Sequence, residues 1–410
     1  MHILFLSHIW PPAIDGGSQI IYQTQKHLKA LGHNTLVLTT NCYSTDDFII
    51  PKSKILHLKS SQVIRLDVYK TKLFVYLKKI TSKLLKIAKR SKVPIVKNIG
   101  KDCKLLNLAR IGPIFKPFTS IKTLVKINQF KPDLIIAGPF PTTISLYAYV
   151  LAKIFKTKLI ILPCFHPQDP AFQNQILLNI LKRADLIWTL SSYEQNYLKN
   201  KLKIDKNNFF VCPPGINLKP LKTIPPKPNT FNILFLGNMS AHKRIELLIK
   251  AFININQKYP NTSLTIAGQK TLYFPQIKKE INKLSGEIKS KIKIYAQKYN
   301  QIQLKKFLDQ SHLLVNPSIH ESFGIVFMEA LSRGVPIIGS NIPNVSDLIN
   351  SSKSGLVFKK DDLDDLARKI ISLISNQNLY NQFSQNGLKF SQAFNWLNIV
   401  KKLDEKIAYL

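Results

Sequence analysis

The first half of the chain alternates short apolar runs with longer amphipathic segments. The apolar runs include HILFLS at 2–7, NTLVLTT at 34–40 and PDLIIAG at 132–138, and the amphipathic TTISLYAYVLAKIF follows the last of these. Continuous runs of Ile, Leu and Val are typical of strands covered on both faces in a parallel sheet. The pattern therefore predicts an α/β domain.

The same pattern starts again after residue 230. Apolar runs occur as FNILFLG at 231–237, SLTIAG at 263–268, KIKIYA at 291–296, HLLVNPS at 312–318 and VPIIGS at 335–340, and amphipathic segments such as IELLIKAFININQKY separate them. A restart of this kind predicts a second α/β domain of the same class.

A proline-rich segment lies between the two series. Pro220, Pro225, Pro226 and Pro228 fall within 217–230, and proline continues neither a helix nor the interior of a sheet. We therefore predict an N-terminal domain over 1–216, a linker over 217–230 and a C-terminal domain over 231–390. Ligands of open parallel sheets sit beyond the carboxyl ends of the strands, so two facing doubly wound domains predict an interdomain cleft.

Length and composition agree with this organisation. The chain has 410 residues, of which 45% are hydrophobic and 20% are charged, which is enough for two ordinary cores and excludes a disordered or fibrous chain. The net charge of +36 indicates attraction to an anionic partner such as nucleic acid, lipid headgroups or a phosphorylated ligand.

The four cysteines indicate neither a zinc site nor a disulfide framework. Cys42, Cys103, Cys164 and Cys212 are widely spaced and form no CxxC motif, which fits a reducing compartment. No run approaches the roughly 18 apolar residues that a spanning helix needs, and the N-terminal apolar run is too short for a signal peptide. We therefore expect a cytoplasmic protein, either soluble or bound to the inner membrane face.

Half of the net charge lies between residues 51 and 130, where 20 Lys and Arg residues stand against two aspartates, a net +18. Within it, 72–90 places Leu and Ile on one helical face and Lys and Arg on the other. Two interpretations carry equal weight: a helix lying on an anionic membrane, or a surface helix packing on the N-terminal core.

Glycines and cations follow the first strand of each predicted domain. Gly16 and Gly17 lie between a strand and a helix, where backbone can approach a ligand closely, although an ordinary turn explains the pair equally well. Lys243 and Arg244 precede the first helix of the second domain, where they can hold a diphosphate. In so basic a chain, chance explains this pair about as well.

The segment 317–336 is the most informative. It contains Glu321 in a loop and Glu329 on the helix that follows, whose first N–H groups, near Gly324, Ile325 and Val326, we expect to point into the cleft. A carboxylate at Glu329 can accept two hydrogen bonds from a vicinal diol such as a ribose, while the amides bind the adjoining phosphate. An ordinary solvated glutamate, or an acid that interacts with the dipole at a helix N-terminus, would explain Glu321 by itself. Neither explains well the combination of Glu321, Glu329 and the helix N–H groups.

The chain resembles family 4 of the retaining glycosyltransferases, which have the GT-B fold of two Rossmann-like domains. The resemblance is carried by PSxxExFGxxxxEAxxxGxP around Glu321 and Glu329, PPxxxGG and LxxxGHxxxxLT near the N-terminus, VCPPGIN before the linker, and GxxxxxKR at the start of the second domain. It implies transfer of a sugar from a nucleotide diphosphate donor to an acceptor with retention. It also implies that the C-terminal helix, predicted over 391–410, crosses back to the first domain.

The resemblance assigns roles to residues by position. It implies that Gly16 and Gly17 border the donor diphosphate, that Lys243 and Arg244 neutralise it, and that Glu329 holds the ribose. It implies that Glu321 contacts the donor sugar and that His166, in LPCFHPQD, meets the transferred sugar; a lone His after a strand is otherwise more often structural. The donor-binding set comprises Gly16, Gly17, Lys243, Arg244, Ser322, Phe323, Gly324, Ile325, Val326 and Glu329, and the catalytic set comprises His166, Lys243 and Glu321.

The sequence departs from the family pattern at two places. Asn238 follows Gly237 where the family most often has arginine, which removes one guanidinium contact to the phosphates, and Gln269 and Lys270 follow Gly268 where a second glycine is common.

The family is thought to react by front-face displacement without a protein nucleophile. The acids at 361–365 read as ordinary first-turn residues and no metal motif ends a strand, so we expect no metal and no other cofactor.

The predicted partners are therefore a nucleotide-sugar donor and a glycan or lipid-linked acceptor, with 72–90 as a contact to an anionic membrane. Two rivals remain open. A catalytically silent relative or partner subunit that binds a nucleotide sugar is suggested by Asn238. A nucleic-acid binder would explain the charge, but no zinc-finger or RNA-binding signature and no interleaved aromatic residues accompany the basic run.

Overall fold

The chain forms two compact units. A computed structural model describes residues 1–11, 16–40, 62–66, 121–167, 169–204, 208–223 and 227–410. The first unit comprises Met1–Cys212 with Val400–Leu410, and the second comprises Pro213–Ile399. The basic segment 72–90, and most of 51–130 around it, lies outside the described residues.

The first unit contains a parallel sheet of seven strands in the order β3-β2-β1-β4-β5-β6-β7. The strands are β1 (His2–Leu6), β2 (Asn34–Thr40), β3 (Val63–Leu66), β4 (Leu134–Ala137), β5 (Lys158–Ile161), β6 (Leu186–Thr189) and β7 (Phe209–Val211). The described helices of this unit are Gly16–Ala30, Ile121–Phe130, Ile144–Phe155, Gln175–Lys182 and Ser192–Lys201. All four residues of β4 are buried, as a strand covered on both faces requires.

The second unit contains a parallel sheet of six strands in the order β10-β9-β8-β11-β12-β13. The strands are β8 (Phe231–Leu236), β9 (Thr262–Ala267), β10 (Ile292–Tyr295), β11 (Leu313–Asn316), β12 (Ile337–Ser340) and β13 (Gly355–Phe358). The helices are Ile245–Lys258, Phe274–Asn282, Gly286–Ser290, Gln301–Asp309, Ile325–Leu331, Pro343–Ser352, Leu363–Ser375, Gln377–Ser391 and Trp396–Ala408, and the residues of the last are divided between the two units at Val400.

The core of the second unit packs two helices against one side of its sheet. Ile249, Phe252 and Ile255 from the helix Ile245–Lys258 meet Ile370 from the helix Leu363–Ser375 and Ile266 of β9, and all five are at most 1% exposed. Burying side chains of this size contributes roughly 1.5–3 kcal/mol each before the entropy of ordering is counted. This packing holds β8 and β9 in place.

Part of the proline-rich segment is fixed to the second unit. Lys227 donates hydrogen bonds from Nζ to the carbonyl oxygens of Leu308 and Asp309, each at 3.2 Å. Burial lowers the pKa of Lys227 to about 8. Residues 217–223 also belong to this unit, so the predicted linker over 217–230 is part of the second unit wherever it is described.

These two sheets confirm the predicted fold class of two doubly wound α/β domains. In both sheets the chain builds outward on one side and then returns to the other side of the first strand, as in Rossmann-like domains. Near the C-terminus, His33 Nε2 lies 2.8 Å from Asp404 Oδ1 within the first unit. The boundaries at 216 and 390, and the crossover of a helix over 391–410, stay predictions.

Replacing Gly268 by alanine should destabilise the second unit. Gly268 follows β9 directly, and an added Cβ would lie 1.7 Å from the carbonyl oxygen of Gly237 at the end of β8. We expect a loss of about 2 kcal/mol or more in the free energy of unfolding, measured by chemical denaturation. The matched control is Gly286→Ala, because an added Cβ there meets nothing within 4 Å and alanine favours a helix. Equal stability of the two variants would contradict this account.

Candidate active site

The strand order of the second sheet brings two loops together. Its order reverses between β8 and β11, so these two strands are neighbours and the chain leaves them toward opposite halves of the sheet. A crevice at such a reversal is where open α/β sheets bind ligands. The loop after β8 carries Lys243, and the loop after β11 carries Glu321.

Lys243 and Glu321 form an ion pair at this reversal. The Nζ of Lys243 donates a hydrogen bond to Oε1 of Glu321, and the two side chains are only 13% and 10% exposed. The same Oε1 accepts a hydrogen bond from Asn316 Nδ2 at 3.3 Å and lies 2.8 Å from Ser318 Oγ, whose single proton is shared between Glu321 and Asn316 Oδ1 at 2.5 Å. The Asn316 amide holds the carboxylate independently of the lysine, so Lys243 can move to another anion without leaving Glu321 unpaired.

Arg244 points to other partners. Its Nη2 lies 2.6 Å and its Nε 2.8 Å from Oδ1 of Asp361, and its Nη1 lies 3.3 Å from Oε1 of Glu246. The hydrogen bonds with Asp361 raise the pKa of Arg244 further. Sequence reasoning placed Lys243 and Arg244 together on a diphosphate, whereas in this structure each cation already has its own carboxylate partner.

Glu329 lies on the helix Ile325–Leu331 and is only 6% exposed. Burial raises the pKa of Glu329 to about 8. Tyr299 is near enough for the charge of Glu329 to add to the effect of burial in raising the pKa of the phenol. A buried acid at this pKa can both accept and donate hydrogen bonds near neutral pH, which suits recognition of a polar group such as a diol.

The loop before this helix has a defined shape. Gly324 has a φ of +79°, where an added Cβ would lie 2.7 Å from the Phe327 ring, so this turn requires glycine. Asn344 Nδ2 donates to the carbonyl oxygens of Ser322 at 2.8 Å and Glu321 at 3.0 Å. Phe323 is buried, and Ile325 and Val326 form the first turn of the helix. The predicted donor-binding segment is therefore held rigidly beside the ion pair.

The predicted residues of the first unit lie at the carboxyl ends of its strands. An added Cβ on Gly17 would lie 2.8 Å from Pro139 after β4 and 3.6 Å from Cys164 after β5, whereas Gly16 has open space around it. His166 follows β5, and its ring lies 5.2 Å from that of Phe172. The structure thus brings Gly17 and the loop of His166 together within the first unit.

Sequence reasoning missed a buried carboxylate behind His166. Glu194 accepts hydrogen bonds from the backbone N–H groups of Phe165 at 2.6 Å and Leu190 at 2.7 Å, and burial raises its pKa to about 7. It therefore joins the loops that follow β5 and β6. The spacing Ser191-x-x-Glu194 at a helix start is a capping signal that could have drawn attention to it, and Ser191 does accept from the Glu194 N–H at 3.1 Å.

A pair of stacked imidazoles beside the ion pair was also missed. The rings of His242 and His320 lie 4.5 Å apart at an angle of 15°, and the Ile319 N–H donates to the His242 carbonyl oxygen at 2.9 Å. Each histidine is next in sequence to a member of the ion pair. The stack therefore joins the two loops that carry Lys243 and Glu321.

The described residues contain neither a metal cluster nor a membrane-spanning helix. No three of the His, Cys, Asp and Glu side chains in these ranges come close enough together to hold a metal ion. No helix in these ranges is both long enough and apolar enough to cross a membrane.

Comparisons with known proteins show that the C-terminal half of the chain is similar to glycosyltransferases. Residues 221–390 match the family model described as glycosyl transferases group 1, and this stretch contains the ion pair and Glu329. The chain is 27% identical over 300 residues to an uncharacterized glycosyltransferase of Methanocaldococcus jannaschii, covering 69% of this chain and 80% of that protein.

Solved glycosyltransferases share the fold. The sucrose-phosphate synthase of Thermosynechococcus elongatus has a TM-score of 0.70 at 18% identity and covers all of this chain and 98% of that one. HepE of Anabaena, solved in complex with UDP and glucose, has a TM-score of 0.68 at 16% identity and covers all of both chains. At these identities the structures establish the GT-B type of fold, with two Rossmann-like α/β domains.

Stability should fall as the pH rises through the range set by Glu329. The folded chain keeps the proton on the Glu329 carboxyl up to about pH 8, whereas an ordinary glutamate releases it near pH 4.5. The stability that this proton contributes is therefore complete below pH 4.5 and is lost as the pH rises to about 8. Each unit between the two pKa values corresponds to about 1.4 kcal/mol. Chemical denaturation at pH 5, 6.5 and 8 should show a shallower fall for Glu329→Gln than for the wild type.

The matched control for this prediction is Glu287→Gln, because the Glu287 side chain is 79% exposed. This variant should keep the wild-type pH profile. Identical profiles for the wild type and Glu329→Gln would show that Glu329 ionises normally in the folded chain.

Proposed function

We propose that this chain is a retaining glycosyltransferase of the family 4 type. It moves a sugar from a nucleotide diphosphate donor to a cell-surface glycan or a lipid-linked acceptor at the cytoplasmic membrane face, without a metal ion. The observation that carries the proposal is the ion pair of Lys243 with Glu321 at the strand-order reversal of the unit that matches the glycosyl transferase group 1 model.

The ion pair gives the donor site a resting state. In the free chain Lys243 is neutralised by Glu321, which avoids a buried unpaired cation. When a donor binds, Lys243 turns to the diphosphate, and Glu321 stays beside Ser318 and Asn316 and accepts hydrogen bonds from hydroxyls of the sugar. A donor therefore replaces one ionic contact with another.

Departure of the diphosphate is the difficult step. The ammonium of Lys243, once turned to the donor, and the N–H groups at Gly324–Val326 stabilise negative charge as it develops on the leaving phosphate. The acceptor attacks from the face that the phosphate leaves, and a phosphate oxygen takes the acceptor's proton. The C1–O bond to the diphosphate breaks as the new C1–O bond forms, so no protein nucleophile is needed.

The remaining predicted residues complete the donor site. Glu329, buried and with a raised pKa, meets the ribose diol. His166 and Gly17 are assigned to the transferred sugar and the diphosphate, with Glu194 holding the loop of His166. Arg244 reaches the phosphates only by leaving Asp361, so we assign it a smaller share of the leaving-group stabilisation than Lys243.

Lys243→Ala should slow donor cleavage by about a hundredfold, which is the usual scale for removing one group that stabilises transition-state charge. HepE is solved with UDP and glucose, so UDP-glucose is the first donor to test. The measurement is release of UDP from UDP-glucose in the absence of acceptor. Lys250→Ala is the matched control, because Lys250 is exposed on the next helix.

A panel of nucleotide sugars separates the transferase from its silent rival. A donor present at 100 times its dissociation constant should stabilise the fold by about 2.7 kcal/mol, measured by thermal shift, and Glu329→Ala should lose this stabilisation. Stabilisation without turnover of any donor would favour the catalytically silent binder. Neither stabilisation nor turnover with any donor would contradict the whole proposal.

The membrane assignment rests on the sequence of 72–90 alone. Each basic residue near an anionic surface contributes about 1 kcal/mol to binding. We expect co-sedimentation with vesicles to rise with anionic lipid content and to weaken at high salt, and we expect replacement of Lys79, Lys83 and Lys86 by serine to reduce it strongly. Binding that ignores lipid charge would support the alternative in which this segment packs on its own domain.

A further inference from the structure

One face of the second sheet is polar along β9 and β10, where a doubly wound sheet is usually apolar. In β9 and β10, Leu264, Ile266 and Ile292 face the hydrophobic core. The alternate residues Ser263, Thr265, Lys293 and Tyr295 therefore share the other face, and the register pairs Lys293 with Thr265 across the two strands. Polar alternation predicts a strand face that solvent or a ligand reaches.

This polar face forms one wall of a cavity of about 540 Å³. Its lining includes Asn232, Ser263, Thr265, Lys291, Lys293 and Tyr295. Its size falls within the roughly 300–1,000 Å³ that is usual for small-ligand sites. Thr230 and Asn261 precede β8 and β9 and Lys291 precedes β10, so the cavity opens toward the amino ends of the strands, opposite the end that carries Lys243 and Glu321.

Asn232 organises the hydroxyl groups on the wall. Its Oδ1 accepts hydrogen bonds from Ser263 Oγ at 3.3 Å and Thr265 Oγ1 at 3.1 Å. Its Nδ2 donates to Ser311 Oγ at 3.1 Å and to the Gln310 carbonyl oxygen at 3.3 Å. The hydroxyl protons of Ser263 and Thr265 are thereby turned toward Asn232, which leaves oxygen lone pairs to accept hydrogen bonds from hydroxyls of a ligand.

An aromatic surface stands beside these hydroxyls. Tyr295 is 41% exposed, and its ring lies 4.9 Å from that of Phe307 on the helix Gln301–Asp309. Contact with Phe307 restricts the orientation of the Tyr295 ring. An aromatic face next to fixed polar groups suits a sugar ring, which has an apolar C–H face and a rim of hydroxyls.

The charged residues that line the cavity are all basic. Lys291 and Lys293 line it, and no aspartate or glutamate does. Lys291 Nζ donates to Asn256 Oδ1 at 3.1 Å and lies 3.3 Å from Glu287, an acid that is 79% exposed. Lys293 is exposed and makes no hydrogen bond or ion pair with the described part of the chain. The wall therefore favours an anionic ligand over a neutral one.

We propose that this cavity is a second carbohydrate site, separate from the donor site, which binds a segment of an anionic glycan. A sugar ring stacks on Tyr295, its hydroxyls bond to Ser263 and Thr265, and its carboxylate or phosphate groups meet Lys291 and Lys293. This goes beyond the proposed transferase reaction, because such a site holds a polymer at a distance from the chemistry.

The test is calorimetric titration of the full chain with an oligogalacturonate hexamer at constant ionic strength and without nucleotide. We expect Lys291→Ser/Lys293→Ser to weaken binding about tenfold, as loss of two charged contacts implies. The control Lys360→Ser/Lys389→Ser removes the same charge from exposed positions outside the cavity and should stay within about twofold of the wild type. Equal weakening by both pairs would mean diffuse attraction to a basic protein and would overturn the proposal.

Tyr295→Ala provides a second, uncharged test. It should weaken hexamer binding severalfold while the dependence on salt stays as in the wild type, because it removes stacking and no charge. A phosphate-bearing glucan that binds more tightly than the hexamer would support the site and identify phosphate as the preferred anionic group.

Three further outcomes would overturn the proposal: unchanged binding by Tyr295→Ala, equal binding of neutral maltohexaose, or displacement of the hexamer by inorganic phosphate at comparable concentration. Release of UDP from UDP-glucose serves as the separate readout of the donor site. Both double variants should retain it, so a failure of the second site leaves the transferase proposal standing.

Discussion

The reversal of strand order between β8 and β11 sets the geometry of the second unit. These two strands pair side by side, but the chain leaves them toward opposite halves of the sheet, which is the place where open α/β sheets bind ligands. Polar side chains from the two loops meet at this place. Lys243 from one loop and Glu321 from the other neutralise each other in an environment where either charge alone would be costly.

The architecture was accessible from the sequence because it depends on local periodicity. Continuous apolar runs, glycine stops and proline breaks marked the strands and helices of both units, and the spacing of Glu321 and Glu329 identified the segment that lies beside the reversal. These signals need no knowledge of which side chains meet. The fold class and the candidate loops could therefore be predicted from the order of residues alone.

Side-chain partners were not accessible in this way. Lys243 and Glu321 are 78 positions apart, and Arg244 and Asp361 are 117 apart, so only the folded sheet decides which carboxylate each cation reaches. Glu194 likewise accepts a hydrogen bond from the backbone N–H of Phe165 on another loop, and only the folded chain brings these two residues together. Polar and apolar residues alternate in SLTIA and KIKIY, the sequences of β9 and β10. The apolar residues alone were enough to predict strands, so the polar face was not predicted.

Arg244 adopts a left-handed conformation, with a φ of 53°, at the position that begins the helix Ile245–Lys258. A residue with a side chain in the left-handed region is roughly 1–2 kcal/mol less stable than in the usual conformations. The salt bridge to Asp361 therefore offsets local backbone strain at Arg244. The side chains of Arg244 and Asp361 are both about 40% exposed, so dissolved ions can screen this salt bridge. The turn that holds Asp361 and the start of this helix are thus joined more firmly in dilute buffer than in concentrated salt.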